Sequence, residues 1–181
     1  MGANTTVTGG SITFADTVDS AVGTNRSLVV NSSGSGTTTF IGAIGGTERL
    51  GSITTNADGQ TEIGADLNLN GSTTTFFDAV ILVNNVTIDQ DGAGDVTFAS
   101  TITGDGSTRD LVVDLASGDI VLAGDVGGAA LIGSLNLMAG SVTLSASLTA
   151  QNEVIISANN GVILDGANAD VNANSLSIDA D

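Results

Sequence analysis

The chain has 181 residues and carries 3 basic side chains, all arginine, against 20 acidic ones, which gives a formal net charge of −17. It contains no Cys, His or Lys, which excludes Ser-His and Cys-His catalysis, catalytic lysine and zinc sites built on Cys or His. The shortage of cations argues against nucleic acid and anionic membranes as partners, and no apolar run is long enough for membrane insertion. Hydrophobic residues make up 41% of the chain, a content that argues against disorder.

The predicted strands follow a repeating frame. Each repeat opens with a small or polar residue, usually Gly, continues with residues that favour strands, and ends on a large apolar anchor. In chain order the anchors are Phe14, Phe40, Ile63, Phe76, Phe98, Leu122, Leu144 and Leu164. The residues four positions after the anchors are Val18, Ile44, Leu67, Val80, Ile102, Val126, Leu148 and, as the one polar exception, Asn168.

A second predicted strand in each repeat alternates apolar and other residues with a period of two, which is typical of a strand with one buried side. These strands contain Leu28/Val30, Ile53/Thr55, Leu67/Leu69, Val86/Ile88, Leu111/Val113, Leu135/Leu137, Val154/Ile156 and Leu176/Ile178. Consecutive anchors lie 20 to 26 residues apart, except that only 13 residues separate Ile63 from Phe76. That short interval predicts one truncated unit.

A unit of this length holds two or three short strands and cannot bury its apolar side alone, so the units must stack. We therefore predict an all-β fold, a single-stranded parallel β-helix (β-solenoid) of about eight coils, with about 4.8 Å between coils and the anchors in columns. A sandwich does not predict so regular a frame, and propeller blades need about 40 residues or more. Residues 1–9 are interpreted as an N-terminal expression or edge segment, and residues 10–181 as a β-solenoid repeat domain cut from a longer array.

Two stretches, residues 37–59 and 94–114, resemble the degenerate repeats of filamentous-haemagglutinin-like adhesins and autotransporter-like β-strand repeat proteins. The resemblance extends over residues 10–181. It implies a right-handed parallel β-helix that serves as an extended stalk or adhesive shaft, in an extracellular position or on the bacterial cell surface. It supplies no active-site motif to carry over.

Carboxylates are the remaining chemical groups. Paired Asp residues can serve a glycosidase, but the aromatic and cationic residues that hold sugars are missing, so we expect no enzyme, no catalytic residue and no cofactor. Asp89, Asp91 and Asp95 surround a glycine corner and are loosely similar to a calcium loop, although corners also favour Asp and Gly for their own geometry. Asp95 and Asp119 share one frame position, and their repulsion about 5 Å apart favours occasional cation binding.

Thr recurs immediately before the anchor and predicts an outward ladder on one side of the solenoid. Flat Thr-x-Thr arrays are found in ice-binding solenoids, but only two repeats here carry Thr at both places, and the strand preference of Thr explains the pattern. The Thr residues are Thr13, Thr39, Thr75, Thr97 and Thr143.

Two outward apolar residues, Ile41 and Phe77, directly follow their anchors and are predicted to share one flank, with Val121 and Ile163 on the other. A cluster of this kind predicts homo-association, unless a loop such as residues 80–85 covers it. Unpaired strands at the ends of the stack also predict end-to-end association.

These features predict a non-enzymatic structural shaft or stalk segment of a large secreted bacterial surface protein, with neighbouring repeats of the parent protein as its partners. The alternative is a side-face recognition module for glycan or protein, calcium-stabilised or self-assembling into filaments. Recognition predicts a groove near the truncated unit or at the long corners 19–27 and 104–110.

Overall fold

The computed structural model describes residues 1–166 and 169–180, and all the regular secondary structure in these ranges is β-strand. The first eleven strands are β1 (Thr5–Gly9), β2 (Ile12–Phe14), β3 (Ser27–Ser32), β4 (Thr37–Phe40), β5 (Ser52–Thr55), β6 (Gln60–Ile63), β7 (Leu67–Leu69), β8 (Thr74–Phe76), β9 (Ala79–Leu82), β10 (Val86–Gln90) and β11 (Val96–Phe98). The remaining strands are β12 (Ile102–Gly104), β13 (Leu111–Leu115), β14 (Ile120–Leu122), β15 (Leu135–Ala139), β16 (Val142–Leu144), β17 (Leu148–Thr149), β18 (Glu153–Ala158), β19 (Val162–Leu164), β20 (Val171–Asn172) and β21 (Ser175–Ala180).

The strands form three parallel faces that the chain visits in turn. The first face is an eight-stranded sheet in the order β1-β3-β5-β8-β11-β14-β16-β19. The second face contains the sheet β2-β4-β6-β9-β12 and the pair β17-β20, joined by parallel bridges through Val126. The third face is β7-β10-β13-β15-β18-β21, extended towards the first coil by bridges through Ile44. The described residues therefore form a parallel β-solenoid of eight coils, which confirms the predicted fold class.

The first coil begins before residue 10. Strand β1 pairs in register with β3, with Thr5 opposite Leu28 and Gly9 opposite Ser32. Residues 5–9 therefore belong to the first face of the solenoid, and the boundary that the sequence suggested at residue 10 falls inside the first coil.

The interval that predicted a truncated unit arises because the sequence frame moves from one face to another. Ile63 at the end of β6 lies opposite Leu82 on the second face, whereas Phe76 at the end of β8 belongs to the first face, where Thr75 lies opposite Thr54. Measured along the first face, equivalent residues of successive coils lie 20 to 25 positions apart. The 13 positions from Ile63 to Phe76 therefore separate anchors on two different faces and do not measure a coil. Asn168, the polar exception of the eighth repeat, lies outside the described residues.

Side chains from all three faces meet in one continuous apolar core from Ile12 to Ala158. The phenylalanines stack in two places, with ring centroids 5.1 Å apart for Phe14 and Phe40 and 5.2 Å apart for Phe76 and Phe98. Such offset ring pairs add about 0.5–1.5 kcal/mol beyond the burial of area. In the eighth coil, where only one neighbouring coil is present, inward residues become exposed, namely Leu164, Leu176 and Ile178.

Glycine is required where successive coils turn closely over one another. A Cβ on Gly36 would lie 1.6 Å from the carbonyl oxygen of Gly10, and one on Gly118 would lie 2.1 Å from that of Gly94. Both distances are far below van der Waals contact. The glycine that opens the sequence frame therefore permits coil-to-coil contact at the corner.

Candidate functional site

Side-chain oxygens at the corners, several of them from Asp, join successive coils. At the corner between the third face and the first face of the following coil, the backbone N–H of Asp119 donates to Asp95 Oδ1 at 3.0 Å. The N–H of Ser141 donates in turn to Asp119 Oδ1 at 2.8 Å. The structure confirms that Asp95 and Asp119 occupy one corner in successive coils, and it gives each carboxylate a charge-assisted bond to backbone.

The same arrangement recurs at the other corners, where a backbone N–H leaves the strand ladder and needs another acceptor. In each case a side-chain oxygen accepts the N–H of the following coil at 2.7–3.1 Å. The acceptor and donor residues are Asn4 and Ser27, Ser11 and Thr37, Asp66 and Thr87, Asn85 and Asp110, Asp110 and Ser134, and Asp125 and Ser147. The carboxylates of Asp66, Asp95, Asp110, Asp119 and Asp125 thus link successive coils.

The carboxylates of the candidate calcium loop bind an arginine. Arg49 Nη2 lies 2.7 Å from Asp89 Oδ2, and Arg49 Nε lies 3.0 Å from Asp91 Oδ2. Arg49 Nη1 also donates to the backbone carbonyls of Leu69 and Asp89, so the side chain spans from the second coil to the fourth. The hydrogen bond to Asp89 is the main cause that raises the pKa of Arg49 above its ordinary value.

The three carboxylates of the candidate calcium loop have different partners. Asp89 and Asp91 face Arg49, whereas Asp95 accepts the N–H of Asp119. Within residues 1–166 and 169–180, no group of three or more acidic side chains is arranged to hold a metal ion. Asp89 and Asp91 therefore cross-link coils through the charge of Arg49, whereas Asp95 does so by accepting a backbone N–H.

The predicted threonine ladder is divided between two faces. Thr13 and Thr39 are neighbours on the second face, where the column continues with Glu62 and then Ile81. The other members lie on the first face, in an outward column of eight β-branched residues: Thr6, Val29, Thr54, Thr75, Thr97, Val121, Thr143 and Ile163. Each coil contributes one residue to this column, and β-branched side chains suit such strand positions.

Ile41 and Phe77 do not share a flank. Ile41 follows β4 at the corner between the second and third faces, and Phe77 follows β8 at the corner between the first and second faces. Their side chains are exposed, at 57% and 49%, and the segment proposed to cover them contains strand β9 instead. The shared flank that the sequence predicted is therefore wrong, because the two residues follow anchors on different faces. Homo-association itself stays a prediction. Val121 and Ile163 do share the first-face column.

A surface pocket lies at the long corner 104–110, one of the places where the sequence predicts a groove if the chain is a recognition module. It has a volume of about 280 Å³ and is lined by Gly106, Ser107, Thr108, Ala130, Leu131 and Gln151. Thr108 Oγ1 donates to Gln151 Oε1 at 2.9 Å, which connects the fifth coil to the seventh, and Leu131 offers a half-exposed apolar side chain.

An ion pair shapes the loop beside this pocket. Arg109 donates to both oxygens of Asp105, at 3.1 Å from Nε and 2.8 Å from Nη2, and the N–H of Ser107 donates to Asp105 Oδ1. The arginine lowers the pKa of Asp105 to about 2, with a further contribution from the Ser107 N–H. The pocket therefore has neutral walls next to a charge pair that is internally balanced.

The most unusual polar group in the interior is Asp78, at the corner between β8 and β9. Its side chain is only 2% exposed. Thr55 Oγ1 donates to Asp78 Oδ1 at 2.7 Å, and Thr61 Oγ1 lies 2.9 and 3.0 Å from the two carboxylate oxygens. Burial raises the pKa of Asp78, although the bonds from Thr55 and Thr61 act in the opposite direction.

One feature of the sequence indicates the cluster of Asp78, Thr55 and Thr61. Thr55 occupies a position of the second-strand pattern that is apolar in each of the other seven repeats, and its side chain is buried. Thr38 and Thr61 are also buried, on adjacent strands of the second face. A polar residue at an inward position demands a buried partner, but the frame gave no indication of which corner supplies it.

The fold defines the chain as a repeat protein of the parallel β-solenoid class. Comparison with models of protein families, with characterised proteins and with solved structures gave no match. In the described part of the chain, no helix of the length and apolar character needed to cross a membrane is present.

Proposed function

We propose that the chain is a non-enzymatic shaft segment of a large secreted bacterial surface protein, in which it supports adhesion or extends another domain from the cell. The observation that carries the proposal is the way in which every coil is tied to its neighbours. Three parallel faces, a continuous core and corner side chains such as Asp95, Asp119 and Asp110 all act along the stacking direction.

A spacer must be long and stiff while using few residues. Eight coils separated by about 4.8 Å extend on the order of 35–40 Å, and each further coil adds the same increment. Arg49 adds stiffness because it connects the second and fourth coils through Asp89 and Asp91. Neighbouring repeats of the parent protein are the partners that this function implies, since an added coil would cover exposed residues such as Leu176 and Ile178.

Distances between spin labels test whether the rod is straight and stiff. The chain has no cysteine, so the pair Thr6→Cys with Ile163→Cys labels one column of the first face at its two ends. Seven inter-coil intervals predict one narrow distance on the order of 34 Å between the two labelled backbone positions. The pair Thr6→Cys with Thr97→Cys, four intervals apart, is the internal reference at on the order of 19 Å. A broad distribution for the long pair would contradict the shaft.

A second candidate function, recognition by a side face, is favoured by the pocket at corner 104–110. Its walls combine the hydroxyls of Ser107 and Thr108, the amide of Gln151 and the apolar side chain of Leu131. Neutral donors and acceptors beside an apolar wall suit a neutral hydroxyl-bearing ligand, such as one sugar unit of a glycan. The many carboxylates of the chain disfavour an anionic ligand.

A glycan array separates the two functions. Specific binding that is lost in Gln151→Ala and Leu131→Ser, but retained in Thr13→Ser on another part of the surface, would establish recognition. Absence of binding across neutral glycans, together with a narrow spin-label distance, supports the spacer.

A further inference from the structure

We propose that Asp78 is a buried proton-binding site, and that the contact between the third and fourth coils strengthens when this site is occupied. Asp78 belongs to the fourth coil, whereas its partners Thr55 and Thr61 belong to the third. Its side chain is 2% exposed, so water does not solvate the carboxylate. This role goes beyond the shaft function, because it makes the stability of one inter-coil contact depend on pH.

The groups around Asp78 provide no positive charge. Thr55 and Thr61 donate hydroxyl hydrogen bonds, and the backbone N–H of Phe77 donates to Thr55 Oγ1 at 3.3 Å. A buried carboxylate without a cation is expensive, and proteins commonly relieve this cost by protonation.

Titratable groups on the surrounding segments do not change this conclusion. Asp58 lies on the exposed corner between β5 and β6, and Glu62 projects outward from β6, where it accepts from Thr39. Both are acidic. Strands β8, β9 and β11, and the corner at residues 99–101, contain no charged residue. Arg49 is engaged by Asp89 and Asp91 on the third face.

The neutral acid fits the same partners as the carboxylate. A protonated Asp78 can donate from one oxygen to Thr61 Oγ1 while its other oxygen accepts from Thr55. Protonation therefore keeps the cluster bonded and removes the buried charge.

The direction of the pH effect follows from burial. Because the pKa of Asp78 is higher in the folded chain than in the unfolded chain, the folded state holds the proton more tightly. The resulting stabilisation is complete below the unfolded pKa and is lost as the pH rises through the folded pKa. Repulsion within a chain of charge −17 also grows with pH, so the contribution of Asp78 must be measured against a matched variant.

Urea unfolding between pH 3.5 and 8 provides that measurement for the wild type, Asp78→Asn and Glu62→Gln. We expect the unfolding equilibrium constant of the wild type, divided by that of Asp78→Asn, to rise with pH. The rise amounts to about tenfold for each unit by which burial raises the pKa of Asp78. Glu62→Gln, which removes an outward carboxyl from the neighbouring strand, is the matched control, and the rise for Asp78→Asn should be the larger one.

Carbon NMR of the Asp78 carboxyl in the wild type gives an independent result, which also decides the case if Asp78→Asn does not fold. A midpoint clearly above the usual value of about 3.9 supports the site. A midpoint at or below that value, or a pH-independent ratio between the wild type and Asp78→Asn, would overturn it.

Discussion

Phe40 and Phe76 end the same four-residue motif, Thr-Thr-Thr-Phe, yet they lie on different faces of the solenoid. Phe40 stacks on Phe14 in the second face, and Phe76 stacks on Phe98 in the first. The motif specifies a strand with a buried aromatic end, and both faces can accept such a strand. Its place around the coil is set by the strands and corners that precede it.

Engineered cysteines test the change of face directly. Thr54 and Thr75 are opposite each other on neighbouring strands of the first face, so Thr54→Cys with Thr75→Cys should form a disulfide under mild oxidation. The sequence frame instead pairs Glu62 with Thr75, but Glu62 lies opposite Ile81 on the second face. Glu62→Cys with Thr75→Cys should therefore retain free thiols, as measured by thiol labelling and mass spectrometry. Preferential cross-linking of this second pair would contradict the register described here.

Two glycines at the same position of the frame should respond very differently to an added methyl group. Gly36→Ala places Cβ 1.6 Å from the carbonyl oxygen of Gly10, so the coils must separate locally, and we expect a loss of about 3 kcal/mol in the free energy of unfolding. Gly10 itself has nothing within 4 Å of an added Cβ. Gly10→Ala should thus change stability by about 0.5 kcal/mol or less in urea titrations. Equal effects of the two substitutions would show that coil contact at this corner is loose.

Removal of Arg49 should expose a latent response to calcium. In the wild type the guanidinium of Arg49 is paired with Asp89 and Asp91. Calcium at 5 mM, which exceeds the dissociation constants of even weak calcium sites in proteins, should therefore leave the melting temperature nearly unchanged. Arg49→Gln leaves two neighbouring carboxylates without their cation. We expect this variant to melt at a lower temperature and to recover part of the loss with calcium, which differential scanning calorimetry would measure. Arg26→Gln, at an arginine outside this cluster, serves as the control. A calcium response of equal size in the wild type and both variants would contradict the role of Arg49.

Asp119 should stabilise the fold mainly through its hydrogen-bond acceptor oxygen and less through its negative charge. Asp119→Asn keeps an oxygen for the N–H of Ser141 and reduces repulsion from Asp95, so we expect unchanged or slightly higher stability, most visibly at low salt. Asp119→Ala removes the acceptor and should cost about 0.5–1 kcal/mol, a small value because water can reach this corner. Urea unfolding at low and high ionic strength distinguishes the two effects. Equal losses for both substitutions would show that the charge itself is required.

Much of the fold follows from the sequence because its physical causes are local. Period-two alternation separates inward residues such as Val30 and Leu137 from outward ones, and glycine or Asp marks the corners. A short unit must bury its apolar side against copies of itself, which requires stacking. The number of coils, the parallel pairing and the corner shared by Asp95 and Asp119 were predictable on this basis.

The tertiary structure alone decided which face each strand occupies. Alternation distinguishes inside from outside but not one of three faces from another, and corners of different lengths let the Thr-Thr-Thr-Phe motif move between faces while equivalent first-face residues of successive coils stay 20 to 25 positions apart. That choice separates Ile41 from Phe77, brings Arg49 to Asp89 and places Asp78 over Thr55 and Thr61. Such contacts join residues 17 to 40 positions apart, so they depend on how the whole stack closes.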